Sequence, residues 1–330
     1  MRLSRFIIVQ AMLLAALSSG AAADEYGGAE ALGDALGSAG DRGQVEIRPA
    51  SQNVSDRQRE RRRASRDRAR RRFIRGGAEL LPHFGDYIVR EKGFSTSRFR
   101  SAHGLFTVEL IDHCGDWTLQ EKWDLELKDQ SDLSHHSNLL YRASEAKVGD
   151  RFVFAYSNDH MGQRTDFIGD VVEVDRGYIA RFREPARNDV FLPPDLVFPI
   201  THLRQILAQA RRRSSGFESI VFDGGNDFAY RAVTTISQPL PDDDGRGNVV
   251  GSRTDLDPKA SDRLPDGLYW PVRVEYFPVD DGFAPPVFTR EFLLHENGII
   301  LSFHVDYGDL QMEARLKNLD IREAVSCVNE

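Results

Sequence analysis

The sequence predicts a mainly β fold, an antiparallel sheet curved around one amphipathic helix. Three observations lead there. Many short segments alternate apolar and polar residues, the period that sets one strand face against a core. Gly/Asp turns such as Val148-Gly149-Asp150 and Asp175-Arg176-Gly177 separate several of them, as in an antiparallel meander. Only residues 192–216 carry a convincing helical period, and about half of the strand segments precede this stretch and half follow it. Strands and helices do not alternate along the chain, which argues against a parallel sheet.

The strand pattern begins near Leu81. Residues 104–111 place Phe106, Val108 and Leu110 on one face. Residues 117–128 form the clearest strand, with Trp117, Leu119, Trp123, Leu125 and Leu127 on one face, interrupted only by Glu121. That interruption marks Glu121 as a paired or cavity-lining charge. Between these strands His113-Cys114-Gly115-Asp116 reads as a tight turn. Further strands are expected at 138–147, 151–157, 164–174, 178–183 and 188–192.

In the helix, Ile200, Leu203, Ile206, Leu207 and Ala210 share a face. Pro199 keeps the helix from starting earlier, Thr201 is the expected N-cap, and Arg204 stands where a capping box needs Glu or Gln. Arg211, Arg212 and Arg213 suit the C-terminal end of the dipole, and Gly216 is the expected stop. Strands then follow at 217–223 and 228–236, a long polar loop at 239–267, and strands at 269–279, 287–294, 298–307 and 311–319. Asn297-Gly298 is a strong hairpin signal. The count is roughly thirteen strands and one helix. One helical face cannot fill a wide curved sheet, so a partly apolar concave interior is expected, able to take an acyl chain or a lipoprotein segment.

Residues 1–23 have the three parts of a secretory signal: Arg2 and Arg5, an apolar run from Phe6 to Leu17, and Ala21-x-Ala23 before Asp24. Export with cleavage after Ala23 is the expectation. Residues 24–80 read as a flexible linker and an Arg-rich segment, and residues 81–330 as the β domain. The 330-residue chain has a formal charge of −8, and loss of Arg2 and Arg5 takes it to −10. Such an acidic chain is a poor nucleic-acid binder. The stretch from Arg57 to Arg75 is locally basic, eleven arginines against Glu60 and Asp67. It reads as a solvated tail or as an arm for an anionic membrane surface.

The two cysteines, Cys114 and Cys327, are expected to pair in an oxidising compartment. The competing reading is two buried thiols, and zinc lacks the spaced donors that a closed site needs. The sequence has no G-x-S-x-G, H-E-x-x-H or phosphate-binding glycine loop. His135-His136 reads as a solvated turn. Asp306 and Asp309 flank Tyr307-Gly308; a hydrolase using them is the enzymatic alternative, although they read better as a turn. No catalytic residue, cofactor or metal is expected.

Several segments together resemble the EipB family of alphaproteobacterial periplasmic proteins. They are Leu81-Pro82-His83, Cys114-Gly115-Asp116-Trp117-Thr118, L-P-P-D-L-V-F-P-I-T-H at 192–202, and V-F-D-G at 221–224. W-P-V-R-V-E-Y-F at 270–277, E-N-G-I at 296–299, D-Y-G-D at 306–309 and Cys327 complete the set. The resemblance spans about residues 81–330. It implies an antiparallel β-spiral, an incompletely closed barrel of about fourteen strands, with a disulfide joining an early turn to the C-terminus. It also implies a non-enzymatic, monomeric envelope-integrity protein with a lipid, lipoprotein or envelope-protein partner. A pure docking adaptor is the further alternative. The Arg-rich segment and the 239–267 loop depart from the family pattern.

Overall fold

The computed structural model describes residues 79–92, 99–160, 162–240, 258–279, 284–308 and 310–323. All of them belong to one compact unit. The expected signal segment, the Arg-rich stretch, Asp309 and Cys327 lie outside the described residues.

Among the described residues, fifteen strands form a single sheet. Before the helix come β1 (His83–Glu91), β2 (Phe99–Asp112), β3 (Asp116–Asp129), β4 (Ser134–Ala146), β5 (Arg151–His160), β6 (Gln163–Val174), β7 (Gly177–Glu184) and the short β8 (Val190–Leu192). Then β9 (Leu196–Val197) enters α1 (Pro199–Arg211). The chain continues through β10 (Gly216–Val221), β11 (Tyr230–Ile236), β12 (Tyr269–Pro278), β13 (Phe288–His295), β14 (Ile300–Asp306) and β15 (Gln311–Ile321). Each half is a meander. The halves join where β1 pairs antiparallel with β15, His83 opposite Ile321 and Glu91 opposite Met312.

The sheet therefore runs from β8 at one edge to β9 at the other. Those edge strands are consecutive in sequence, with only residues 193–195 between them. Four extended residues reach about 14 Å at most, so the sheet must curl until its edges are near neighbours. β8 and β9 do not pair, however. This is an incompletely closed barrel, as the family resemblance implies.

Three local features differ from expectation. The sheet has one parallel pair, β9 with β10, in which Ile220 faces Leu196 and Val221 faces Val197. A parallel pair needs a crossover, and α1 is that crossover. At two residues, β9 is too short to leave an alternating pattern.

The helix starts two residues before the expected cap. Phe198 is the N-cap, with extended backbone (φ −98°, ψ 166°), and Pro199 takes the first helical turn, where its missing N–H costs nothing. Thr201 is not the cap, because a carboxylate from β4 does that work. The stop is Arg213, whose left-handed φ of 60° lets Ser214 donate back to the Gln209 carbonyl at 3.0 Å. Gly216 instead opens β10, and a Cβ there would lie 2.3 Å from the Thr234 carbonyl oxygen.

The last part of the 239–267 loop is also structured. α2 (Pro258–Ser261) packs against β15. Ala260 and Leu264 are buried, and Arg263 Nη1 donates to the Leu319 carbonyl at 3.1 Å. The Asn297-Gly298 turn joins β13 to β14 as predicted, with Gly298 at φ 93° and Ile299 N–H donating to Asn297 Oδ1 at 3.2 Å.

Candidate functional site

Period-2 alternation turns one row of each strand toward α1. On β3 that row is Trp117, Leu119, Glu121, Trp123, Leu125 and Leu127, all buried except the half-buried Leu119. On the helix, Ile200, Ile206, Leu207 and Ala210 are buried as expected, Leu203 is half-buried, and His202, which hydrophobic periodicity passes over, is buried beside them.

The two faces do not meet everywhere. Between them lies a cavity of about 130 Å³. Its helix side is Pro199, Ile200, His202, Leu203 and Ile206. Its sheet side includes Val108, Leu110, Leu119, Phe292 and Phe303. Phe303 anchors an aromatic floor, packing edge-on against Phe106 (5.3 Å, 89°) and Trp123 (5.7 Å, 73°) and tilted against Tyr87 (5.9 Å). Tyr276 stacks on Phe288 at 4.2 Å, and Tyr230 meets both edge-on.

A small polar group interrupts this apolar wall. Glu121, Asp223 and Arg290 all line the cavity. Glu121 stands opposite Tyr141 in the β3–β4 ladder and is only 8% exposed. Burial pushes its carboxyl up, Asp223 adds to the rise, and the Arg290 guanidinium opposes it. Burial likewise raises Asp223 to about 6, against the pull of the Gly225 N–H and of Arg290. Tyr141 ties these elements together by donating its hydroxyl to the Asp223 carbonyl at 2.9 Å. Burial, with Arg290 adding to it, lowers His202 to about 4, so its imidazole is neutral at pH 7. Arg290 also bonds the Tyr276 hydroxyl and lies over the Phe303 ring at 5.7 Å.

A second buried carboxylate has another task. Glu145, 2% exposed at the end of β4, accepts hydrogen bonds from the backbone N–H of Ile200 and of Thr201, both at 2.9 Å. It also accepts from the Thr201 hydroxyl. Side-chain acceptors at a helix start satisfy donors that the helix cannot, and negative charge there suits the dipole. Burial still dominates and pushes Glu145 up to about 7.

The residues singled out in the sequence fall in different places. Glu121 is in the site, as its interruption of an apolar face suggested. Cys114 sits in its turn at φ 61°, its N–H donating to Asp112 Oδ1 at 2.8 Å. Asp306 does not line the cavity. It closes the β14–β15 turn, accepting from Gly308 N–H at 2.7 Å and from Gln311 Nε2 at 3.1 Å. His135 pairs with Asp129 at 3.1 Å, while His136 is exposed, and no metal-binding cluster forms among the described residues. Sequence reasoning missed Asp223, Arg290, His202 and Glu145. Only His202 left a signal, a polar residue beside the apolar stripe of an otherwise buried helix.

The fold has counterparts. A crystal structure of a β-barrel-like protein of a domain of unknown function from Brucella abortus superposes with a TM-score of 0.65 at 21% identity, covering 74% of this chain and 100% of that one. The cell envelope integrity protein EipB of Brucella abortus (strain 2308) is 27% identical over 160 residues, 46% of this chain and 51% of that protein. The chain thus spans about half the length of this curated relative. The EipB-like family matches residues 77–323, three-quarters of the sequence, and the chain belongs to that family.

Proposed function

We propose that this chain is an exported, periplasmic, non-enzymatic protein that helps maintain the cell envelope by holding the apolar end of a lipid or lipoprotein in its interior. The cavity between α1 and the concave sheet carries this reading. The name of the Brucella relative supports the envelope role. The volume limits the ligand. A cavity of about 150 Å³ holds a benzene-sized molecule, so 130 Å³ accommodates the tip of an acyl chain and not its length.

Native mass spectrometry of gently purified protein tests the reading. The expected result is a bound amphiphile, lost from Val108→Phe and Leu119→Phe variants, whose new rings enter the cavity. Filling existing space offsets much of the overpacking cost of about 1–3 kcal/mol, so both variants should melt within about 5 °C of wild type. A ligand-free wild-type mass, or equal retention by well-folded blocked variants, would refute it.

The same reading includes a Cys114–Cys327 disulfide, supported by the oxidising compartment and the cysteine count. Non-reduced peptide mapping should recover the linked pair. Two alkylatable thiols in periplasm-derived protein would exclude it.

A further inference from the structure

Among the buried carboxylates, Glu121 and Glu145 lie on adjacent strands and differ in one respect. Glu145 spends its oxygens on α1. Glu121 is more than nine-tenths buried, lines the cavity, and receives no hydrogen bond among the described residues. Asp223 lines the same cavity, and its Oδ1 accepts the Gly225 N–H at 3.0 Å. Arg290 is the one cationic side chain among the lining residues, leaving two acids to one base. A buried charge imbalance of this kind is relieved by protonation or by a cation supplied from outside. The raised carboxyls of Glu121 and Asp223 are the first response. The second is open to any ligand whose apolar part fits the walls and whose polar end is positive.

We infer that the cavity is an ammonium-selective subsite. It takes a short alkyl segment against Val108, Leu119 and Phe303, and a primary ammonium group against Glu121 and Asp223. With that ligand bound, two carboxylates face one guanidinium and one ammonium, and the interior is neutral. A ligand carboxylate would instead find two acids opposing it and only Arg290 in favour. The inference rests on the ligand-holding role proposed above and changes the occupant from an acyl tip to a short alkyl segment that carries its own ammonium. Either a free alkylamine or an aminolipid headgroup supplies this chemistry.

The test is calorimetric titration of the full mature protein with hexylamine, hexan-1-ol and hexanoate, compounds matched in chain length. At pH 7.5 hexylamine should bind at least tenfold more tightly than hexanol, with hexanoate weakest. Glu121→Gln should bring hexylamine binding down to the level of hexanol binding by the same variant. Asp223→Asn, which keeps the acceptor for Gly225, should reduce the preference by a smaller factor. Sedimentation with vesicles containing phosphatidylethanolamine, compared with phosphatidylcholine vesicles, separates the sources: a preference for the former assigns a lipid headgroup, and none assigns a free amine. Hexanol binding without amine preference, or tighter binding of hexanoate, would overturn the ammonium assignment and leave the cavity reading intact. Absence of binding by all three compounds would overturn both.

Discussion

Replacing Glu145 by glutamine should make the protein progressively more stable relative to wild type as pH rises from about 4.5 to about 7, by about 3 kcal/mol across that interval. Burial lifts the Glu145 carboxyl from its ordinary 4.5 to about 7. Between those values the folded protein keeps a proton that the unfolded chain has released. Folding then binds protons, so stability is greatest below 4.5 and is lost as pH climbs through the folded value. A shift of about 2.5 pH units corresponds to about 3 kcal/mol. Glutamine cannot ionise, keeps one acceptor oxygen for Ile200 or Thr201, and has nearly the same volume.

Alanine at the same position separates charge from capping. It removes every acceptor for the start of α1, including that of the Ile200 N–H, whose residue is 3% exposed. A buried donor left without a partner costs about 1–3 kcal/mol, so Glu145→Ala should be destabilised even at pH 5, where Glu145→Gln is close to wild type. Comparison between variants is needed because the wild-type profile mixes signs. Asp223, raised from 3.8 to about 6, acts in the same direction as Glu145. His202, lowered from 6.5 to about 4, acts in the other. Its contribution is present above 6.5 and is lost as pH falls toward 4. Urea midpoints of the three proteins at pH 4.5, 6 and 7.5 measure this. A pH-independent difference between wild type and Glu145→Gln would overturn the prediction.

These carboxylates show how far the sequence could be read. Glu121 is legible because period-2 alternation on β3 is strong enough to make one charged residue conspicuous. Glu145 is not, because it stands at the strand end in Ser144-Glu145-Ala146-Lys147, next to a turn, and its partners lie 55 and 56 residues further on. Nothing local marks such a pairing. For the same reason Thr201 looked like the cap, since sequence rules see only acceptors within the helix itself. Asp223 sits just past β10 in Phe222-Asp223-Gly224-Gly225, which reads as a turn, and Arg290 follows Thr289 on β13 as an ordinary outward charge would. Both come to the cavity through sheet curvature, a property of all the strands together. The meander and the helix were legible because each depends on near-neighbour periodicity. The parallel β9–β10 contact was not, because it depends on where α1 returns the chain.

Truncating Phe303 to alanine should lower stability by about 3–5 kcal/mol, the largest loss expected from any single side chain at the cavity. Phe303 is 2% exposed and touches Tyr87, Phe106 and Trp123 together. Offset and edge-on ring pairs add about 0.5–1.5 kcal/mol each beyond burial, so its removal weakens three contacts as well as exposing apolar surface. The site also has little means of collapse. β13 and β15 flank β14, with Phe303 paired to Phe292 on one side and to Ala314 on the other, and α1 is held at its start by Glu145. The lost ring therefore leaves space that merges with the existing cavity. A domain of about 245 residues shifts its melting point by about 2–4 °C per kcal/mol, which predicts a fall of about 10 °C. Phe303→Leu, which keeps most of the volume, should lose less than half as much. Phe191, 62% exposed on the edge strand β8, provides the control, since Phe191→Ala should change stability by less than about 0.5 kcal/mol. The enlarged space gives a second readout. Saturating benzene should raise the melting point of Phe303→Ala by more than that of wild type, because ligand bound only to the folded state stabilises it by mass action and the variant has the larger space. A fall of under 3 °C in Phe303→Ala, without benzene rescue, would show that the aromatic floor does not carry the packing between α1 and the sheet.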